Sequence, residues 1–352
     1  MMKLSHTALL ASCLLAGQAH AQLQSPIFYG DLRFSLTQAD TAFAANPSGS
    51  DGTTLQNDFS YVGLRGSSAL TEQLALIYKA EVMLNGDDTD DNSPFKARDI
   101  FVGLQSDWGT VSFGKMLTVF LKSEGSIDQF NLTNTDINRL FAGQDRMGDM
   151  VEFSSAEFAN SRVLVNYLLE DDAEDKNNNK TNLGDPFAVS LLHGDKSFKK
   201  QPYFFSAAYN DGLKQERMWR LVSQVKLGQW QLGALYQDTQ DLKYNNLDGS
   251  GFVLSANYPL NDKLKFKARY GQDDSGNGKY IDKVIQHVKL DSSDVAATQV
   301  TNYSIGLDYQ ISRSTKVFTH FSYFDAEVDH INGERVYDAD DKLFNLGLWY
   351  KF

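Results

Sequence analysis

The last nine residues, Phe344-Asn345-Leu346-Gly347-Leu348-Trp349-Tyr350-Lys351-Phe352, alternate strictly between two faces. In an extended chain Phe344, Leu346, Leu348, Tyr350 and Phe352 share one side, and Asn345, Gly347, Trp349 and Lys351 share the other. In water, an aromatic apolar stripe on an open sheet edge templates association with other chains. A closed barrel in lipid requires that same stripe, because its outer band is apolar, its interior is polar and closure leaves no edge.

The rest of the sequence repeats the period. Phe28, Leu32, Phe34 and Leu36 oppose Asp31, Arg33 and Ser35; Leu74, Leu76, Tyr78, Ala80, Val82 and Leu84 oppose Lys79 and Glu81. Val163, Val165, Tyr167 and Leu169 oppose Arg162, Asn166 and Glu170, and Leu264, Phe266, Ala268 and Tyr270 oppose Lys265, Lys267 and Arg269. Further runs fall near 58–66, 97–105, 109–115, 148–155, 187–194, 202–210, 217–227, 230–239, 250–259, 300–311 and 315–326. With the terminal strand they number 16, the even count that a single-chain bacterial barrel needs. The expected fold is all-β: one 16-stranded antiparallel transmembrane barrel over residues 22–352, with no domain boundary.

Short connections at 67–73, 228–229, 259–263 and 312–314 suit the periplasmic end; long polar ones at 85–94, 171–185, 241–249, 271–299 and 327–340 suit the outside. Two of the latter carry acidic blocks, Asp87-Asp88-Thr89-Asp90-Asp91 and Glu170-Asp171-Asp172-Ala173-Glu174-Asp175. Solvated loops account for them; bridging to lipopolysaccharide through divalent cations is the second reading.

Residues 1–21 read as a signal peptide: Lys3 is the positive start, Thr7 to Gly17 the apolar core, and Ala19-His20-Ala21 the small-x-small cleavage site. Leu10-Ala11-Ser12-Cys13 also fits a lipidation motif, but the apolar run before it is very short. Cleavage after Ala21 removes the single cysteine, so no disulfide or thiol chemistry is expected. It also removes one cation and no acid, taking the formal charge from −12 to −13, which argues against nucleic acid as a partner. Mean hydropathy is −0.38, and no later stretch is long and apolar enough for a membrane helix.

Several motifs, in order and at characteristic spacing, carry a family resemblance. They are Tyr61-Val62-Gly63-Leu64-Arg65-Gly66; Arg98-Asp99-Ile100-Phe101-Val102-Gly103-Leu104; and Trp108-Gly109-Thr110-Val111-Ser112-Phe113-Gly114-Lys115. Arg146 with Met150-Val151-Glu152-Phe153-Ser154-Ser155-Ala156-Glu157-Phe158 follows, then Ile305-Gly306-Leu307-Asp308-Tyr309 with Ser312-Arg313-Ser314-Thr315, and finally Gly347 to Phe352. From Tyr29 to Phe352 the chain resembles the Gram-negative general diffusion porins, trimers of 16-stranded barrels. The resemblance implies that the third external loop, Met116 to Met147, folds into the lumen and narrows it. It further implies wall arginines, matched by Arg98 and Arg146, facing loop acids to be drawn from Glu124, Asp128, Asp136 and Asp145. The family's Pro-Glu-Phe-Gly type loop motif is absent, which leaves the choice among those acids open. Tyr61, Asp31, Glu152 and Trp349 stand where the family often carries basic residues, making the pore less positive. Arg33, Tyr61, Lys79, Glu81 and Glu152 complete the expected constriction wall.

Opposed charges across a narrow channel create a transverse field that orients water and polar solutes and resists apolar ones. The Lys265-Lys267-Arg269 ladder is either an anion track or a wall paired with acids such as Asp308; pairing is favoured because unpaired charges repel. Tyr209, Trp219, Trp230, Tyr258, Tyr270, Tyr309, Tyr323 and Tyr350 fit interfacial girdles or an intersubunit surface. No metal, cofactor or nucleophile motif appears, and His320, at lumen parity, is the one histidine that a barrel hydrolase would use. The expectation is an exported outer-membrane porin, a homotrimer in lipid and lipopolysaccharide, passing small hydrophilic solutes and ions with weak cation preference. The alternatives are a substrate-selective channel for an anion or oligosaccharide, an outer-membrane hydrolase, and a loop-based receptor or adhesin.

Overall fold

A computed structural model describes residues 25–44, 51–85, 93–169, 185–244 and 246–352. The expected signal peptide 1–21, Cys13 within it, and the acidic blocks at 87–91 and 170–175 lie outside the described residues.

Among the described residues, β1 (Ile27–Ala39), β2 (Gly52–Asn57), β3 (Tyr61–Ala69), β4 (Leu74–Leu84), β5 (Phe95–Ser106) and β6 (Gly109–Leu117) come first. Next are β7 (Arg146–Ser155), β8 (Ser161–Leu168), β9 (Phe187–Gly194), β10 (Tyr203–Asp211), β11 (Glu216–Leu227) and β12 (Trp230–Asp241). The last five are β13 (Asp248–Pro259), β14 (Leu264–Asp273), β15 (Val295–Gln310), β16 (Thr315–His330) and β17 (Arg335–Lys351). Neighbours pair antiparallel around the sheet, and β17 returns to β1 with Arg33 opposite Trp349 and Leu36 opposite Leu346. β2 and β3 both pair with β1, so they make a single wall position and the barrel has 16.

The break between β2 and β3 lies inside the run expected at 58–66. Phe59 sits at φ 60°, and Ser60 is held by a 2.9 Å bond from its N–H to Asn57 Oδ1. The Arg33 N–H donates to Ser60 Oγ at 2.8 Å and the Asp58 N–H to the Arg33 carbonyl at 2.9 Å, so the bulge satisfies the backbone it interrupts.

The terminal alternation is realised. Leu346 and Leu348 are 46% and 51% exposed on the outer face, while Asn345 between them is fully buried in the lumen. Outward rings meet in pairs, Trp219 with Tyr236 at 5.0 Å, Trp230 with Tyr258 at 4.7 Å and Tyr270 with Tyr303 at 4.9 Å.

Two expected external loops are more ordered than their polarity suggests. Most of 327–340 is strand, because Arg335 bridges Glu327 and Asp329 at 2.7 and 2.8 Å across the hairpin. Within 271–299 a helix, α2 (Lys279–His287), buries Tyr280, Ile281, Val284 and Ile285, one apolar face at helical spacing. That face packs with Ile137, Leu140 and Phe141 and with lumen-side Val300, Phe324, Val328 and Leu343. A second apolar cluster joins Val119, Phe120 and Ala142 to Met150, Leu164, Leu168, Ala188, Ala208 and Met218. The described residues thus form two apolar clusters, and residues 118–145 contribute to both.

Candidate functional site

The segment between β6 and β7 begins with Thr118, whose hydroxyl accepts from the Leu121 N–H at 3.2 Å and starts the short helix α1 (Val119–Lys122). Side chains from the wall then hold it along its length. Asn166 of β8 accepts from the Val119 N–H at 2.8 Å, and Ser190 of β9 donates to the Val119 carbonyl at 2.7 Å. Gln224 of β11 donates to the Glu124 carbonyl at 2.8 Å, and Asn257 of β13 to Gln129 Oε1 at 2.8 Å. Gly125, at φ 66°, lies so close to the Phe204 ring that a Cβ would be 2.5 Å from it.

Three arginines add to the anchoring. Arg220, fully buried on β11, donates to the carbonyls of Phe120 and Ala142 and so ties both ends of the segment to one strand. Arg269 of β14 meets Asp128 at 3.0 Å with both side chains almost wholly buried. Arg33 of β1 donates to the carbonyls of Asn131 and Leu132 at 2.8 and 3.1 Å.

The facing wall carries a different set of charges. Glu81 accepts from Arg98 Nε at 2.7 Å and the Tyr29 hydroxyl at 2.9 Å, and lies 3.1 Å from Lys79 Nζ. Lys79 also reaches Asp99 at 2.5 Å, which in turn holds Arg146 Nε at 2.9 Å. The Arg98 guanidinium lies 4.4 Å from the centre of the Tyr61 ring. Lys122 of α1 pairs with Glu152, the one ion pair among the described residues that joins the segment to this side.

The structure therefore brings Tyr61, Lys79, Glu81, Arg98 and Arg146 together, with Glu152 beside Lys122. The expected loop acids make other contacts. Among the described residues no ion pair joins Arg98 or Arg146 to Glu124, Asp128, Asp136 or Asp145. Asp128 is taken by Arg269; Asp136 caps the turn at Ile137–Arg139 and accepts from the Leu132 N–H at 2.7 Å. Burial pushes the Asp145 carboxyl up, against the pull of Lys214, Lys279 and Arg220. Wall acids, Glu81 and Asp99, pair with Arg98 and Arg146.

Asp99 escaped sequence reasoning for a geometric reason. Strict alternation puts neighbouring Arg98 and Asp99 on opposite faces, but β4 and β5 shift register between Ala80 and Val82. The bulge turns both side chains inward, where each is 6% exposed. Arg220 was legible by lumen parity, but nothing in the sequence marks it as a clamp.

In the basic ladder, Lys267 pairs with Asp308 at 2.8 Å and Arg269 with Asp128, whereas Lys265 makes no ion pair among the described residues. His320 lies 3.0 Å from Lys267 Nζ and is packed by the rings of Phe130 and Phe318. No serine bonds to it among the described residues.

A cavity of about 500 Å³ opens below the segment, lined among others by Arg33, Tyr61, Glu124, Asp128, Lys265 and Trp349. Burial pushes the Glu124 carboxyl up to about 8, with the nearby Asp128 charge adding to it. Burial and the Asp136 charge raise Asp128 to about 6, against the pull of Arg269. Glu124 holds its proton more tightly docked than free, where its ordinary value is 4.5. Docking of the segment is therefore unaffected below that value and weakens as pH rises towards about 8. Ionisation adds one negative charge to the cavity wall. A charge ~10 Å from a passing ion is worth ~0.4 kcal/mol in water, with opposite sign for cation and anion, so the cation-to-anion ratio should rise about three-fold between pH 7 and 9. Reversal potentials in a KCl gradient measure this, and Glu124→Gln should flatten the response.

A closed 16-position antiparallel barrel with an apolar outer band and a charged interior defines an outer-membrane channel protein. A family profile described as Gram-negative porin matches residues 7–329, and the chain belongs to that family, with its place in the outer membrane. No curated protein sequence matches significantly. Solved structures similar in fold include OmpT of Vibrio cholerae in a trimer form, at 17% identity and TM-score 0.66, covering 93% of this chain and 99% of that one. An anion-selective porin from Comamonas acidovorans is 14% identical with TM-score 0.64 over the same shares, 93% and 99%. OmpF of Salmonella typhi in complex with daunomycin is 14% identical with TM-score 0.65, covering 93% and 97%.

Proposed function

We propose that the protein is a homotrimeric porin for passive diffusion of small hydrophilic solutes and ions, with residues 118–145 narrowing the lumen. The carrying observation is the anchoring of that segment to β1 and the β8–β16 side, opposite a row of paired charges on β3–β7. Solutes pass the row formed by Tyr61, Lys79, Glu81, Arg98, Asp99 and Arg146, where fixed charges orient water. The trimer form of the similar OmpT supports the assembly state. Ion preference at the row is close to balanced, with three cations against two acids and Lys122 offset by Glu152. The chain's formal charge of −12 tilts it weakly towards cations.

Conductance in planar bilayers tests the reading: steps in threes with weak selectivity are expected, and a silent protein would overturn it. Arg98→Ala takes the row from three cations against two acids to two against two. It should raise the cation-to-anion permeability ratio about four-fold, because the ~0.4 kcal/mol of one charge acts with opposite sign on cation and anion. An unchanged reversal potential would remove Arg98 from the ion path.

A further inference from the structure

At the short-turn end of the barrel, three register neighbours on β1, β17 and β16 (Arg33, Trp349 and Lys316) stand side by side. The Trp349 ring has the Arg33 guanidinium and the Lys316 ammonium each 3.7 Å from its centre, and Lys351 Nζ at 4.1 Å. One indole thus gathers three like charges, its π-face offsetting their repulsion. Among the described residues, two carboxylates form ion pairs with the group. Asp308 lies 2.7 Å from Lys316 and 2.8 Å from Lys267; Asp31 lies 3.5 Å from Arg33 and 3.6 Å from Lys351.

Arg313, on the turn beside them, and Lys265 make no ion pair among the described residues. Among the described residues, four of these six cations therefore share the two ion-paired acids. A cavity of about 190 Å³ at this rim is lined by Gln310, Arg313, Ser314, Lys316, Trp349 and Lys351, with no carboxylate among them. It shares Lys316, Trp349 and Lys351 with the larger cavity below residues 118–145. The buried Trp349 Nε1–H has no acceptor among the described residues. A cavity with three cationic side chains, a hydroxyl and an amide, and no acid, lacks one thing chemically: an anion with several oxygens.

We propose that this rim is a binding site for a small multivalent oxyanion of the phosphate class, seated between Arg313, Lys316 and Lys351 on the periplasmic side of the pore. It deepens the porin reading and rests on it for sidedness. Such a solute would be concentrated at the inner mouth, and when bound would obstruct the path taken by chloride and potassium.

The test is single-channel recording in KCl with inorganic phosphate added to one face at a time, on the wild type, Lys351→Gln and Arg313→Gln. Phosphate at the short-turn face should lower the conductance more strongly than at the opposite face. Each variant should weaken that block about ten-fold, the loss expected for one charge-assisted contact. Equal block from both faces, or block unchanged in both variants, would overturn the site. Arg313 is exposed on a turn, so its variant tests the site even if Lys351→Gln assembles poorly. If the wild type fails to conduct, the porin reading falls separately. Calorimetric titration of the detergent-solubilised protein with phosphate then decides the site: heat lost in Arg313→Gln supports it, and no heat in the wild type overturns it.

Discussion

Arg269→Met is expected to release residues 118–145 from the β14 wall and make the open channel larger and noisier. Arg269 and Asp128 are both almost fully buried at 3.0 Å, so removing the guanidinium strands a carboxylate in a dry site. Breaking a buried pair from one side costs about 3–5 kcal/mol, comparable to the total stability of many domains. Asp128 also accepts from the N–H groups of Phe130 and Ile137 at 3.0 Å, so the disturbance spreads to the turn that carries Leu140 and Phe141 into the apolar core. The double variant Arg269→Met with Asp128→Asn should recover part of the loss, because a neutral amide needs no counterion and keeps an acceptor for one of those two N–H groups. Conductance, current noise and protease sensitivity of the segment, compared across the cycle, check this. Single and double variants that both behave like the wild type would show that Arg220 and Arg33 suffice as anchors.

Deletion of residues 344–352 should abolish the barrel altogether. β17 joins β16 to β1, and the Phe352 and Gly30 backbones exchange hydrogen bonds of 3.1 and 3.0 Å at the seam. Without the strand, the N–H and C=O groups of two edges face lipid, each costing several kcal/mol, and their sum exceeds any plausible net stability. Folding into vesicles, followed by protease resistance, should drop to background. A smaller version is Gly30→Val, since a Cβ there would be 2.3 Å from the Phe352 ring. Its folding yield should fall while the deletion's vanishes; normal folding of the deletion would mean that the seam is not needed for closure.

Much of this molecule is legible from residue order. The alternation of Asn345 with Leu346 and Leu348 assigns lumen and lipid faces correctly, and Lys267 with Asp308 follows from parity and charge. The α2 face of Tyr280, Ile281, Val284 and Ile285 was readable at helical spacing, but polar neighbours made 271–299 look like an ordinary loop. Lumen-side Val300, Phe324, Val328 and Leu343 were the complementary signal: apolar residues where water was expected. Asp99 was not readable, because a bulge reverses parity and its position depends on pairing between β4 and β5.

Local order alone determined the fold class, the strand count and which side chains meet lipid, because a two-residue period and the demand for saturated backbone bonds in a membrane leave one architecture. The tertiary structure alone decided which charges meet. Coulomb partners are set by register and by the route of residues 118–145, so wall acids took Arg98 and Arg146, and Arg269 took Asp128. The cluster of cations around Trp349 arises in the same way, from three strands whose neighbourhood exists only once β17 has closed onto β1.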